Sequence, residues 1–146
     1  SRIRAIVPDV FMHRYTGDRS GAARRIQMKS TASMWDDFLK VMGARERQLE
    51  LPVNPTHRES REQVNYVLHH HSEFAIDPSC TGLIFDLTNV EVDDDMSIIK
   101  ADRSKAAQRA DLLDVCRYAV NTYLRRWIDI HRKTNALHRL PDRATH

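Results

Sequence analysis

Apolar positions along this chain change their period several times, and each change marks an expected element. Val10 to Thr16 (VFMHRYT) is dense in β-branched and aromatic residues and reads as a strand. Arg19 to Thr31 carries no such pattern and reads as irregular. From Met34 to Arg45 the spacing becomes helical, with Trp35, Phe38, Leu39 and Met42 on one face and Ser33 as the cap. Gln48 to Val53 (QLELPV) is a short strand stopped by Pro52 and Pro55. Thr56 and Glu59 form a T-x-x-E capping box opening a second helix, which carries Val64, Val67 and Leu68. Phe74 to Ile76 is a very short strand. Asp77-Pro78 starts a third helix bearing Cys80, Leu83, Ile84 and Leu87. Asn89 to Val92 and Ser97 to Lys100 flank an acidic triplet as a hairpin. A long helix from Lys105 to Arg132 closes the pattern, with Leu112, Leu113, Cys116, Ala119, Val120, Tyr123, Leu124 and Trp127 in one stripe. This alternation predicts an α/β fold with some parallel strands covered by helices.

Composition changes the picture little, but charge distribution changes it more. The 146 residues suffice for one domain with a core, and 41% hydrophobic with 29% charged is ordinary for a globular chain. No apolar run approaches the roughly 18 residues of a membrane span. The net charge is only +3. It is concentrated at the ends: Arg14, Arg19, Arg24, Arg25 and Lys29 near the start, then Arg125, Arg126, Arg132, Lys133, Arg139 and Arg143. Acidic residues crowd the middle at Asp93, Asp94 and Asp95. Basic ends suit a polyanion, with solvated surface as the plainer alternative. The two cysteines, Cys80 and Cys116, read as reduced core thiols of a cytosolic protein. No signal peptide opens the chain, and its start reads like a cut into something larger.

Candidate chemistry rests on carboxylates. No GxxxxGK[ST] phosphate loop and no GxSxG elbow occur. His69, His70 and His71 stand at a helix end and point about 100° apart, so they cannot all face one metal. Asp18 lies in "YTGDRSG", after a predicted strand and between Gly17 and Gly21, which allow close approach of backbone or ligand. The competing reading is a turn residue bonding its own backbone. Asp111 and Asp114 stand three apart on the long helix, and Asp114 points about 140° from the centre of the apolar stripe. By itself that describes an exposed carboxylate paired with Arg117 or Arg109. Asp93 to Asp95 read as a solvated hairpin tip.

In order and spacing, "YTGDRSG", "STASMWDDFLKVM", "LPVNPTHRESREQVNYVL", "IDPSCTGLIFDLTNVEVDDD", "SIIKADRS" and "DLLDVCRYAV" resemble the C-terminal nuclease domain of the large terminase subunit of tailed bacteriophages. The resemblance covers most of the chain. Its most specific parts are GD-x-SG, P-x-C-x-x-L-I-x-D-L and an Asp followed three residues later by Arg-Tyr. It implies an RNase H-like mixed sheet flanked by helices, and a metal-dependent endonuclease that cuts double-stranded DNA concatemers during packaging in the host cell cytoplasm. It implies two Mg²⁺ or Mn²⁺ ions held by carboxylates, a fitting donor type for hard cations. Asp18 and Asp114 fall on catalytic, metal-binding carboxylates of the family, and Asp111 on a more variable polar position. Arg19, Arg24 and Arg25 then become candidate DNA-phosphate contacts. The terminase small subunit and the portal become the implied partners.

One departure limits that implication. The family's first metal carboxylate sits on an earlier strand, and nothing here matches it. Asp9 is the only acidic residue before Asp18, about 30 Å away along extended chain and at the wrong end of its strand. The expectation is therefore a C-terminal portion of the nuclease domain over residues 1–133, lacking its N-terminal strands, with a tail at 134–146. Such a portion should have weak or no activity and an exposed sheet edge open to self-association. The alternatives are a non-catalytic basic DNA-binding or docking module, and an unrelated α/β protein.

Overall fold

Ser33 begins the first regular helix with a reciprocal cap. Its Oγ accepts from Asp36 N, while its own N–H donates to Asp36 Oδ2 at 2.7 Å. The helix, α1 (Met34–Met42), ends at Gly43, whose φ of 59° is left-handed and lets the chain turn away. The computed structural model describes residues 13–23, 32–95, 97–102 and 104–138. The chain divides into two compact units, Ser1–Asn54 and Pro55–His146.

In the first unit, α1 presents Trp35 and Phe38 on one face. Phe38 meets Tyr15 edge-on at 5.2 Å and Trp35 at 5.3 Å. Tyr15 is joined to Leu49 by one parallel bridge: Tyr15 N–H donates to Gln48 O and Glu50 N–H to Tyr15 O, both at 2.8 Å. A 3₁₀ turn, Arg19–Ala22, lies between Tyr15 and α1, and a second, Glu46–Gln48, precedes the bridge.

The second unit is helical. α2 (His57–His70) starts at Thr56, whose Oγ1 accepts from Glu59 N at 3.1 Å. Asp77 organises a turn by accepting from Ser79 N at 2.8 Å, so α3 (Thr81–Asn89) begins three residues later than the Asp-Pro pair suggests. A loop held by one antiparallel bridge, Val92 to Ile98, leads through a 3₁₀ turn, Ala106–Gln108, to α4 (Asp111–Ala119). A π-helical segment, Val120–Leu124, joins α4 to α5 (Arg125–His138). Val64 and Val67 of α2 pack with Cys116, Val120 and Ile128, and Phe74, Leu83, Leu87 and Trp127 border them. The long-helix stripe is thus real at Cys116, Val120 and Trp127, whereas Leu112 and Tyr123 stay well exposed.

The expected RNase H-like α/β sheet is overturned: the structure is mostly helical, with no sheet among the described residues. Val10 to Thr16 yields one bridged residue, Tyr15, and positions 10–12 lie outside the described residues. Gln48 to Val53 contributes only Leu49, because Pro52 and Pro55 lack the N–H that a ladder needs. Phe74 to Ile76 is irregular, and the hairpin is a single bridge. β-Branched and aromatic residues favour a pleated surface only where neighbouring strands exist to pack against. The sheet edge expected to recruit a second copy is likewise not among the described residues. The final helix starts at Asp111 rather than Lys105 and reaches His138, past the expected end at Arg132 and into the stretch expected to be a tail. Cys116 is buried as expected, but Cys80 is exposed at the start of α3; neither forms a disulfide.

Candidate functional site

The second unit gathers its chemistry around Arg117. This guanidinium is 4% exposed, on the inner face of α4. Its Nε donates to Ser60 Oγ at 2.6 Å and its Nη1 to Asp114 Oδ1 at 2.6 Å, with His57 Nδ1 at 3.3 Å. Ser60 is fully buried, and its hydroxyl reaches back to Thr56 O at 2.8 Å. Lys100, from the loop before α4, donates to the other Asp114 oxygen, Oδ2. Both oxygens of Asp114 therefore meet cations from two elements, and its side chain is 22% exposed. The helical spacing alone would leave this carboxylate in solvent, and the charge on the preceding loop draws it in. Burial first, and the Arg117 charge second, push the His57 imidazole below its ordinary value, against an opposing pull from Asp114.

The first turn of α4 has an unusual support. Ala110, its N-cap, is fully buried at φ 50° and offers no capping side chain. The left-handed conformation costs a non-glycine residue about 1–2 kcal/mol. Asp86 of α3 supplies the cap from outside: Oδ2 accepts from Leu112 N at 3.0 Å and Leu113 N at 3.1 Å. Asp111 and Asp114 add negative charge to the same turn, where the helix dipole favours it. Asp111 is exposed.

Asp18, in the first unit, is a capping residue. Its Oδ1 accepts from Ser20 N at 2.8 Å and Asn54 Nδ2 at 2.7 Å, and its carbonyl accepts from Trp35 Nε1 at 3.0 Å. The flanking glycines make room for the same indole. A Cβ on Gly17 would lie 2.8 Å from Trp35 Cζ2, and one on Gly21 2.9 Å from Nε1. The close approach anticipated from those glycines is made by Trp35. Arg19 is exposed, and its backbone N–H donates to Asn54 Oδ1 at 3.0 Å. Arg24 and Arg25 lie outside the described residues.

Asp111 and Asp114 thus share one helical turn, while Asp18 belongs to the other unit. Among the described residues no three His, Cys, Asp or Glu side chains converge as a metal site. The donor chemistry agrees, since Lys100 and Arg117 already neutralise Asp114. The described residues do not make up a two-metal centre. Asp93 is a turn residue, accepting from Ser97 N at 2.8 Å. His70 meets Tyr66 at a tilt with ring centres 4.4 Å apart, and His71 meets Trp127 likewise at 4.5 Å.

Sequence reasoning missed Asp86, Lys100 and Ser60. Asp86 had two signals, as the lone charge in the third helix's apolar pattern and as the Asp of P-x-C-x-x-L-I-x-D-L, but neither was given a role. Ser60 and Lys100 had none. Among the described residues no helix is long and apolar enough to cross a membrane. The chain matches no family model, no curated protein and no solved structure.

Proposed function

We propose that this chain is part of a metal-dependent DNA endonuclease of the viral packaging-terminase kind, and that Asp114 is the carboxylate it contributes to the metal site. What supports this reading is the order of sequence motifs, in which Asp114 falls on a metal-binding carboxylate. Asp114 is fixed at the start of α4, partly withdrawn from solvent, with both oxygens facing positive charge. In this reading Lys100 must release Oδ2 before that oxygen can ligate, and Asp111 stands one turn away. The substrate, double-stranded DNA, and the partners, a small terminase subunit and a portal, follow from the order of sequence motifs. The described donor set is incomplete, so no hydrolytic step is assigned to it. By itself the chain should bind Mg²⁺ or Mn²⁺ weakly and cut DNA poorly or not at all.

Mn²⁺ titration followed by paramagnetic broadening tests this. Amides of Leu113 to Arg117 should broaden first, and Asp114→Asn should remove the effect. Uniform broadening at all acidic residues, unchanged in Asp114→Asn, defeats the reading.

One observation favours a second reading. Asp114 is already neutralised, and Arg125, Arg126, Arg132 and Lys133 are exposed on α5. That combination suits a non-catalytic DNA-binding module whose carboxylates only balance charge. DNA affinity falling steeply with salt, with no response to Mn²⁺, selects it.

A further inference from the structure

A cavity of about 240 Å³ lies between α2, α3, α4 and the loop bridged at Val92 and Ile98. Most of its wall is apolar, including Val64, Leu87, Ile98 and Leu113. Asp86 stands in that wall and is 7% exposed. Its two oxygens differ. Oδ2 accepts from Leu112 N and Leu113 N, which caps α4. Oδ1 has no hydrogen-bond partner among the described residues. Unlike the sealed Nε of Arg61, it is also not shut off from solvent. A largely buried carboxylate oxygen without a donor carries a desolvation cost that an arriving N–H or O–H group relieves.

Charge narrows the ligand. Asp86 repels an anion. Arg61 and Arg117 border the same cavity, and their guanidinium charges repel a cation. An uncharged molecule meets neither penalty, and the apolar wall favours a hydrocarbon body. The volume lies below the roughly 300 Å³ at the lower end of pockets for drug-sized ligands, so it suits a single ring.

We infer that this cavity binds a small uncharged ring compound, a phenol or an aromatic amine, that donates a hydrogen bond to Asp86 Oδ1. One carboxylate then serves two ends: Oδ2 holds the start of α4 and Oδ1 receives the ligand. The ring packs against Leu87, Ile98 and Leu113. The site does not use Asp114, so its failure leaves the nuclease reading untouched.

The test titrates the full chain with phenol and with toluene, which has nearly the same shape but no donor, while methyl and amide resonances are followed. With phenol, the Leu87, Ile98 and Leu113 methyls should shift saturably. Asp86→Asn keeps one oxygen for the α4 amides, since asparagine caps about as well as aspartate, and puts a donor where Oδ1 stood. In that variant the ratio of phenol to toluene affinity should fall at least about tenfold, and taking the ratio cancels the difference in apolar transfer. Benzoate and benzylammonium, single-ring ions of opposite sign, should each bind the parent chain at least about tenfold more weakly than phenol. Methyl shifts that rise linearly with phenol, without saturating, overturn the site in the parent chain whatever the variant does. So do shifts confined to the Gly82 and Phe85 amides, which border a separate hollow beside Asp86. An unchanged affinity ratio in Asp86→Asn, or an ion that binds as tightly as phenol, overturns it as well.

Discussion

Asp18 and Asp114 each stand at the start of a helical turn, and the chain holds them in opposite ways. Asp18 accepts from neutral donors, Ser20 N and Asn54 Nδ2, in a turn shaped around Trp35. Asp114 lies between two cations, one of them buried. A carboxylate held by neutral amides is used for its oxygen atoms, and an amide side chain can replace it. A carboxylate held by cations is used for its charge, and nothing neutral replaces it. Through the bonds described, aspartate thus serves geometry at an N-cap in one unit and charge balance inside a first helical turn in the other.

Removing Arg117 should have the largest effect. Arg117→Met leaves Ser60 Oγ without its donor and Asp114 with Lys100 alone. Breaking a buried ion pair costs about 3–5 kcal/mol. Asp114 is 22% exposed and keeps one cation, so the lower end, about 3 kcal/mol, is expected. The chain has two tryptophans, Trp35 in the first unit and Trp127 in the second. Fluorotryptophan labelling therefore reports each unit separately during urea unfolding. The Trp127 transition should move to lower urea while Trp35 keeps its own. A shift below about 1 kcal/mol would mean that water screens the network as it does a surface pair.

The counterpart in the first unit is Gly21→Ala. The added methyl meets the Trp35 ring at 2.9 Å and Met34 Cε at 3.1 Å. A methionine end can move, but an indole bonded to Asp18 O moves less readily. Overpacking of this kind costs about 1–3 kcal/mol, and here the Trp35 signal should respond. A substitution tolerated without change would show that the glycines do not serve the indole.

The helical parts of this architecture were legible where one signal was strong and local. Ser33 as a cap, Thr56 before its helix, and the Val64–Val67 spacing all state their structure within a single turn. The strands were not legible. VFMHRYT and QLELPV have the residue types of strands, but a strand exists only when partners arrive from elsewhere, and here one bridge forms at Tyr15 and Leu49. The candidate site was half visible. Helix geometry offered Asp114 either Arg117 or Arg109 as a partner, and Arg117 is the one it meets. Its burial did not, because Lys100 and Ser60 reach it from separate elements through tertiary contact. Asp18 showed its turn chemistry plainly, yet its glycines pointed equally to a ligand or to Trp35.

Acid should separate the two units next, with a smaller effect than losing Arg117. His57 sits below its ordinary value because of burial and then the Arg117 charge. The unfolded chain therefore takes up a proton there before the folded chain does. Stability from this group is complete above about pH 6.5 and is lost as pH falls from there through the folded value. The Trp127 transition should weaken as pH falls below about 6.5, and less so in His57→Gln. Equal weakening in both chains would assign the loss to other groups.

The smallest effect is expected at Asp18, and it bears most directly on the contrast between the two carboxylates. Asparagine caps helical turns about as well as aspartate, so Asp18→Asn should keep an acceptor for Ser20 N and change stability by less than about 0.5 kcal/mol. Asp18→Ala removes the acceptor and should cost about 1 kcal/mol, read at Trp35. Asp114→Asn should behave otherwise, because an amide leaves Lys100 and Arg117 facing each other with no negative charge between them. Its cost should exceed that of Asp18→Asn by at least about 1 kcal/mol, read at Trp127. If the two asparagine variants prove equally mild, charge is not what holds Asp114. The cations would then have settled on an oxygen acceptor that any polar side chain could supply, and the distinction between the two sites would vanish.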